Sequence, residues 1–448
     1  MSVPSTPDIV PPVEGVSLAR SAGDRPRDTG RRGRSPKPLG GTQGGPLGNT
    51  RIEFPPPTPS TQDKRLARFV RRAASSQMLI AEHLEVTREK LISPTESVNL
   101  DTGEIQRVER EQARLLLPAR VARCSWALGQ LITLHGGAES TAHYSGTERC
   151  GSISACPVCA PVIRSERAQE ISQAVTAHQE SGGSLVFVTL TIRHKAKHLL
   201  AETLDTVITS WQKLLRGKPW LKFKSRHQIG GFIRSIEITR GKYGWHPHIH
   251  AIFFLEAEPS PHALAEFESS IFTRWSGLVT KDNGDFAPTP ESGIDCQLVD
   301  DSGTVVAAYL SKLQEEKSTT KWGVGAEMTR GDLKDGRETS LIPFQLLDQG
   351  DSKHWIEYVR ATKGRRIITW SKGLKDRYSV EERDDEEILD DAEKSDLAWT
   401  TTRNVYEETR TSAPSLLAVA LGAVETENWE LLYQLLPGHR PPQIEQEE

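Results

Sequence analysis

The stretch GWHPHIHAIFFL (244–255) constrains this chain more than any other. Three of the thirteen histidines fall within five residues, and an apolar run follows at once. A β-strand reconciles the two, because side chains alternate between its faces. His246, His248 and His250 then share one face, about 6.5–7 Å apart along the strand. Ile249, Ala251, Phe253 and Leu255 take the other face and anchor the strand in a core. Ile252 and Phe254 continue the histidine row as apolar residues, so the polar site lies toward the strand's N-terminal end. Neutral imidazole is a common ligand of divalent metals. A single histidine would be read as a hydrogen-bonded structural residue; three in alternation point to a metal site.

The segment GFIRSIEITR (231–240) precedes this strand, separated by the turn GKYGW, so the two form a hairpin. Glu237 shares a face with Ser235 and Thr239 and can lie beside the histidines. Its carboxylate would complete a two-histidine, one-carboxylate site with positions open for phosphate or water. A salt bridge to a nearby arginine is the plainer reading of the same residue.

Further strands are predicted at 184–192 (SLVFVTLTI) and 294–299, and helices at 204–217, 261–278 and 304–316. Strands and helices alternate around a hairpin, which gives an α+β fold with helices packed on an antiparallel sheet. From 63 to about 135, apolar residues recur at three- and four-residue spacing, which predicts helices. Residues 1–60 are rich in Pro, Gly, Ser and Arg and lack apolar periodicity, so a disordered tail is expected. The division that follows is a tail at 1–60, a helical and cysteine-rich DNA-binding module at 61–180, and a catalytic domain at 181–317. An extension at 318–378 follows, then an acidic linker and helical tail at 379–448.

The net charge of −4 hides a local bias. Residues 193–242 hold twelve Lys and Arg against three acids. A basic surface of this kind can bind phosphate even on an acidic chain. Arg193, Lys195, Arg234, Arg240 and Lys242 are its candidates for DNA contact, against the plainer reading of a solvated face. No apolar run approaches the length a bilayer needs, and no signal-peptide pattern opens the chain. Five cysteines in 448 residues fit a reducing compartment, so a cytoplasmic protein without membrane contact is expected.

Three cysteines cluster as Cys150, Cys156 and Cys159, the last two in the Cys-x-x-Cys spacing of a zinc knuckle. Structural zinc takes four ligands, which leaves Cys124 or His143 as the fourth. Such an ion would brace the DNA-binding module rather than catalyse.

A metal beside a basic surface suggests phosphodiester chemistry, which needs a nucleophile. In YLSK (309–312), Tyr309 and Lys312 are three apart and share a helix face. A phenol ionises at about pH 10, and a neighbouring ammonium favours the phenolate. By itself the pair also fits an ordinary amphipathic helix with a packed tyrosine.

FVTLT (187–191), HPHIHAIFF (246–254) and YLSK (309–312), in this order, resemble the three motifs of HUH-type rolling-circle replication initiators. More narrowly they resemble the plasmid Rep family of Gram-positive bacteria. CPVCA (156–160), KWGVGAEMTRGDLKDGR (321–337) and GRRIITWSKGL (364–374) look like Rep proteins of actinomycete plasmids, and the resemblance spans about 140–378. It implies a ferredoxin-like antiparallel sheet with the histidine motif on a central strand. It implies Mg²⁺ or Mn²⁺ held by His248 and His250, with His246 and Glu237 as further candidates. Tyr309 would attack the double-strand origin of the plasmid and stay linked to the DNA 5′ end, with Lys312 positioning it. The freed 3′-OH would prime synthesis, with single-stranded DNA, a host helicase and a polymerase as partners. One position departs from the pattern: relatives with one tyrosine often carry a glutamate four residues before it, where this chain has Val305. Asp300, Asp301 and Glu316 are the acids nearest that role. Two other readings stand beside this one: an HUH transposase, and a zinc-dependent DNA-binding regulator without catalysis.

Overall fold

Two antiparallel sheets organise the chain, and each is closed by helices carrying its apolar residues. The computed structural model describes residues 61–92, 118–138, 140–299, 340–391 and 396–440. The expected tail at 1–60, the helix at 304–316 with Tyr309 and Lys312, and Asp300, Asp301, Val305 and Glu316 lie outside the described residues.

In chain order the main elements begin with α1 (Thr61–Ile92), β1 (Leu131–Gly137), β2 (Ser140–Ser145) and α2 (Cys159–Glu180). Next come β3 (Ser184–Leu190), α3 (Leu200–Leu214), α4 (Gly217–Arg226), β4 (Ile229–Gly241) and β5 (Gly244–Leu255). Then follow α5 (Pro261–Asp282), β6 (Ile294–Leu298), β7 (Ser340–Leu341), α6 (Ser352–Thr362), β8 (Ile368–Trp370) and α7 (Asp385–Asp391). The last are β9 (Leu397–Thr402), α8 (Arg403–Ser412), α9 (Pro414–Glu425), α10 (Trp429–Leu435) and β10 (Gly438–His439).

The larger sheet runs in the order β6-β3-β5-β4, and β7 and β8 both pair with the outer edge of β4. The β4–β5 hairpin closes through Lys242 and Tyr243, between the paired Gly241 and Gly244. Gly244 has φ +92°, and a Cβ there would stand 3.0 Å from the Cα of Ala196, so the tight turn and the loop beside it require glycine. Along the hairpin Thr239 faces His246, Glu237 faces His248 and Ser235 faces His250.

Both faces of this sheet are covered. Ile249, Ala251, Phe253 and Leu255 of β5 pack with Val186, Val188 and Leu190 of β3 beneath α3 and α5. Apart from Ala251, each of these side chains contributes about 1.5–3 kcal/mol on burial. On the opposite face Ile252 and Phe254 pack with Leu185 and Ile233 beneath Ile171, Ala174 and Val175 of α2. The histidines of β5 occupy the other end of that second face.

The smaller sheet has the order β10-β9-β1-β2. Ile132, Leu134, Tyr144 and Trp399 meet Phe69 of α1, Tyr406 of α8, Leu417 and Leu421 of α9 and Leu432 of α10. Two sequence expectations change here. The helical reading up to about residue 135 holds for α1, but Leu131–Gly137 is a strand in which Ile132 and Leu134 alternate inward. The segment set apart as an acidic linker and helical tail supplies β9, which pairs along β1 from Leu131–Thr402 to His135–Leu397. No helix among the described residues is long and apolar enough to cross a membrane.

Candidate metal centre

Hairpin register brings the expected ligands together. Glu237, His248 and His250 each present one donor atom, and these atoms all lie within 4.8 Å of one another. Oε2 of Glu237 is 2.9 Å from Nε2 of His248 and 2.8 Å from Nε2 of His250. Glu237 and His250 are buried and His248 is half-buried. One carboxylate and two imidazoles suit a divalent first-row ion such as Mn²⁺ or Zn²⁺ better than magnesium. The arrangement therefore fits a metal, and it also stands as a carboxylate hydrogen-bonded to two imidazoles.

The groups around the rings suit both descriptions. Nδ1 of His250 lies 3.1 Å from Oγ1 of Thr189 on β3, and Nδ1 of His248 lies a long 3.4 Å from the carbonyl of His246. With a metal bound, the proton would sit on Nδ1 facing these oxygens and leave the Nε2 lone pair for the ion; without one, Nε2–H donates to Glu237 and the Thr189 hydroxyl can donate to Nδ1 of His250. Phe187 stacks on the His250 ring, with ring centres 5.3 Å apart. Sequence reasoning missed Thr189 as a functional residue. Its place in FVTLT was visible, but its pairing with His250 depends on the β3–β5 register, which no short turn fixes.

His246 stands outside this group. Its ring stacks on His194 from the loop after β3, at 4.6 Å. Burial pushes its pKa down to about 3, and His248 and His194 act in the same direction. No pattern in the sequence signals His194.

The basic residues separate into two sets. Arg193, Lys195 and Lys242 are exposed. Lys195 pairs with Asp285 at 3.4 Å, and Lys242 lies over the Tyr243 ring at the hairpin tip. Arg234 departs from the expectation of DNA contact. It is 6% exposed, and its guanidinium donates to the carbonyls of Arg366 (3.2 Å) and Ile367 (3.5 Å). Burial lowers its pKa to about 10, and its role is to tie β4 to the segment before β8. Arg240 is half-buried, lies over Trp245 and donates to Nε2 of His354 (2.7 Å), whose Nδ1–H donates to Asp351.

The cysteines meet elsewhere. Sγ atoms of Cys124, Cys150, Cys156 and Cys159 lie within 4.8 Å of one another. His143, the other candidate for a fourth ligand, sits on β2 with its ring stacked on His135.

Comparison with known proteins gives the family. A family model described as "Replication protein" matches residues 144–264, a span that holds Glu237 and the whole histidine row. A Streptomyces lividans protein titled "Protein rep" is 30% identical over 320 residues, covering 56% of this chain and 69% of that protein. A Streptomyces cyanogenus protein titled "Neomycin resistance protein" is 31% identical over 170 residues, covering 29% of this chain and 38% of that protein. No solved structure matches the chain. With more than two thirds of the Streptomyces lividans relative covered at 30% identity, and the replication-protein model matching residues 144–264, this chain belongs to the Rep family of replication proteins.

Proposed function

We propose that the protein is a plasmid replication initiator that nicks one DNA strand at the double-strand origin, in the cytoplasm. The observation that carries this reading is the convergence of Glu237, His248 and His250 on one point, in a chain of the replication protein family. The position of β5 between β3 and β4 supports a ferredoxin-like catalytic sheet with the histidine motif on its central strand. In this reading residues 61–180 form a DNA-binding module, 181–317 the nuclease, and 318–378 its extension.

Glu237, His248 and His250 would hold Mg²⁺ or Mn²⁺, and Thr189 fixes the His250 ring for that task. When bound, the ion would polarise a phosphoryl oxygen and orient the scissile bond. Arg193, Lys195 and Lys242 supply positive charge to the phosphate backbone. Tyr309 attacks the phosphorus, giving its phenolic proton to a nearby base or water, while Lys312 favours the phenolate. A phosphotyrosine bond to the 5′ end forms as the bond to the 3′ oxygen breaks. That oxygen takes up a proton and leaves as the 3′-OH that primes synthesis by a host polymerase, with a helicase exposing single-stranded DNA.

Cleavage of a labelled origin fragment with Mn²⁺ tests this. His248→Ala combined with His250→Ala should lower cleavage beyond the ~10–100-fold typical of losing an outer-shell partner. DNA binding should persist, because the exposed lysines and Arg193 are untouched. Wild-type cleavage by the double variant would refute the proposal.

A further inference from the structure

We propose that Cys124, Cys150, Cys156 and Cys159 hold one zinc ion in a closed, purely structural site, independent of the histidine centre and of the nicking reading. The sulfurs of Cys124 and Cys156 are 3.4 Å apart, those of Cys124 and Cys159 3.6 Å, and those of Cys150 and Cys159 4.0 Å. A tetrahedron with Zn–S bonds of about 2.3 Å has sulfur–sulfur edges of about 3.8 Å. No disulfide joins them. Four thiols gathered at this spacing match an ion's coordination shell.

The backbone supports the same reading. Cys156-Pro-Val-Cys159 forms a knuckle in which the N–H of Cys159 donates to Sγ of Cys156 (3.4 Å). Cys159 is the first residue of the 22-residue α2, so the positive end of that helix faces the sulfurs. Zinc with four thiolates carries a net charge near −2, which a buried site must compensate. Arg72 of α1 lies beside it, 4% exposed, and donates to the carbonyls of Cys124 and Ala122. Arg72 thus ties α1 to the ligand loop, and its buried charge has the sign that an anionic centre needs.

The site is closed. Cys124, Cys156 and Cys159 are at most 2% exposed, and Ile163 of α2 with Ile388 and Leu389 of α7 cover them. Four protein ligands leave no position for water or substrate, so the ion is structural. It would join three distant parts of the chain: α1 through Arg72, α2 through its first residue, and α7 from the acidic run. Arg120–Glu386 (2.9 Å) and Arg167–Asp385 (2.7 Å) reinforce the α7 contact. This gives the acidic segment a role in the fold, where the sequence showed only a charge run.

The test is metal analysis of the full-length protein purified without added metal, paired with thiol titration. The proposal expects one zinc per chain, retained on dialysis against Mn²⁺, and four thiols that react only after denaturation with a chelator. Replacing zinc with cobalt should give the visible absorption of tetrahedral cobalt thiolate. His248→Ala and His143→Ala should keep the zinc, whereas Cys124→Ser should lose it. Should Cys124→Ser fail to fold, the wild-type stoichiometry and the cobalt spectrum still decide. Zinc-free protein with all thiols reactive, iron in place of zinc, or zinc lost on His143→Ala would overturn the proposal.

Discussion

At the level of single residues, the histidine row reads directly from the sequence because alternation is local. Glu237 was reachable for the same reason: a short hairpin fixes its register against His248. Thr189 was not, since β3 and β5 are separated by two helices and a strand, and only the folded sheet sets them side by side. Arg234 shows the converse error. A charge pattern cannot tell an arginine that meets solvent from one whose guanidinium is taken up by backbone carbonyls. Thr189 gives a sharp test, because valine keeps its shape and removes the hydroxyl that His250 Nδ1 bonds. Thr189→Val should raise the Mn²⁺ concentration needed for half-maximal cleavage by about 10–100-fold. An unchanged metal titration would show that Thr189 plays no part in orienting the ring.

Among elements, α2 links the thiol cluster to the histidine sheet. Its first residue enters the thiol cluster and its last turns cover Ile252 and Phe254 of the histidine strand. Near its C-terminal end, His178 is fully buried. It bonds through Nε2 to the carbonyl of Leu255 (2.9 Å) and accepts at Nδ1 from the hydroxyl of Tyr378 (2.6 Å). Burial holds this imidazole below the ordinary value of 6.5. The unfolded chain therefore takes up a proton that the folded one refuses. Stability from this group is complete above pH 6.5 and falls as the pH drops below it. Urea unfolding across that window should show the decline, and His178→Gln should lessen it. Tyr378→Phe leaves Nδ1 buried without a donor and should cost about 1–3 kcal/mol at neutral pH; an unchanged midpoint would contradict the hydrogen bond. Neither partner of His178 was legible in the sequence, because Tyr378 is two hundred residues away.

Across the whole molecule, the two ends of the described chain build one sheet. β1 looked helical because it follows a helical-looking run, and its partner β9 lies beyond the acidic stretch, where local patterning gives no pairing signal. Loss of β9 would uncover Ile132 and Leu134 and strip Phe69 and Tyr144 of the core formed by α8–α10. A chain ending at residue 391 should therefore aggregate or lose helical and sheet signal by circular dichroism, beyond what the missing residues explain. A monomer melting like the full chain would show that the small sheet is dispensable. Catalysis as proposed joins the cluster of Glu237, His248 and His250 to Tyr309, which lies outside the described residues. The most direct measurement incubates the full-length protein with 5′- or 3′-labelled origin single strand and Mn²⁺, resolves the products on a denaturing gel, and maps the linked peptide by mass spectrometry. The account predicts a covalent adduct at Tyr309, joined to the 5′ end and absent in Tyr309→Phe. An adduct that survives that substitution, or nicking that leaves no adduct, would contradict it.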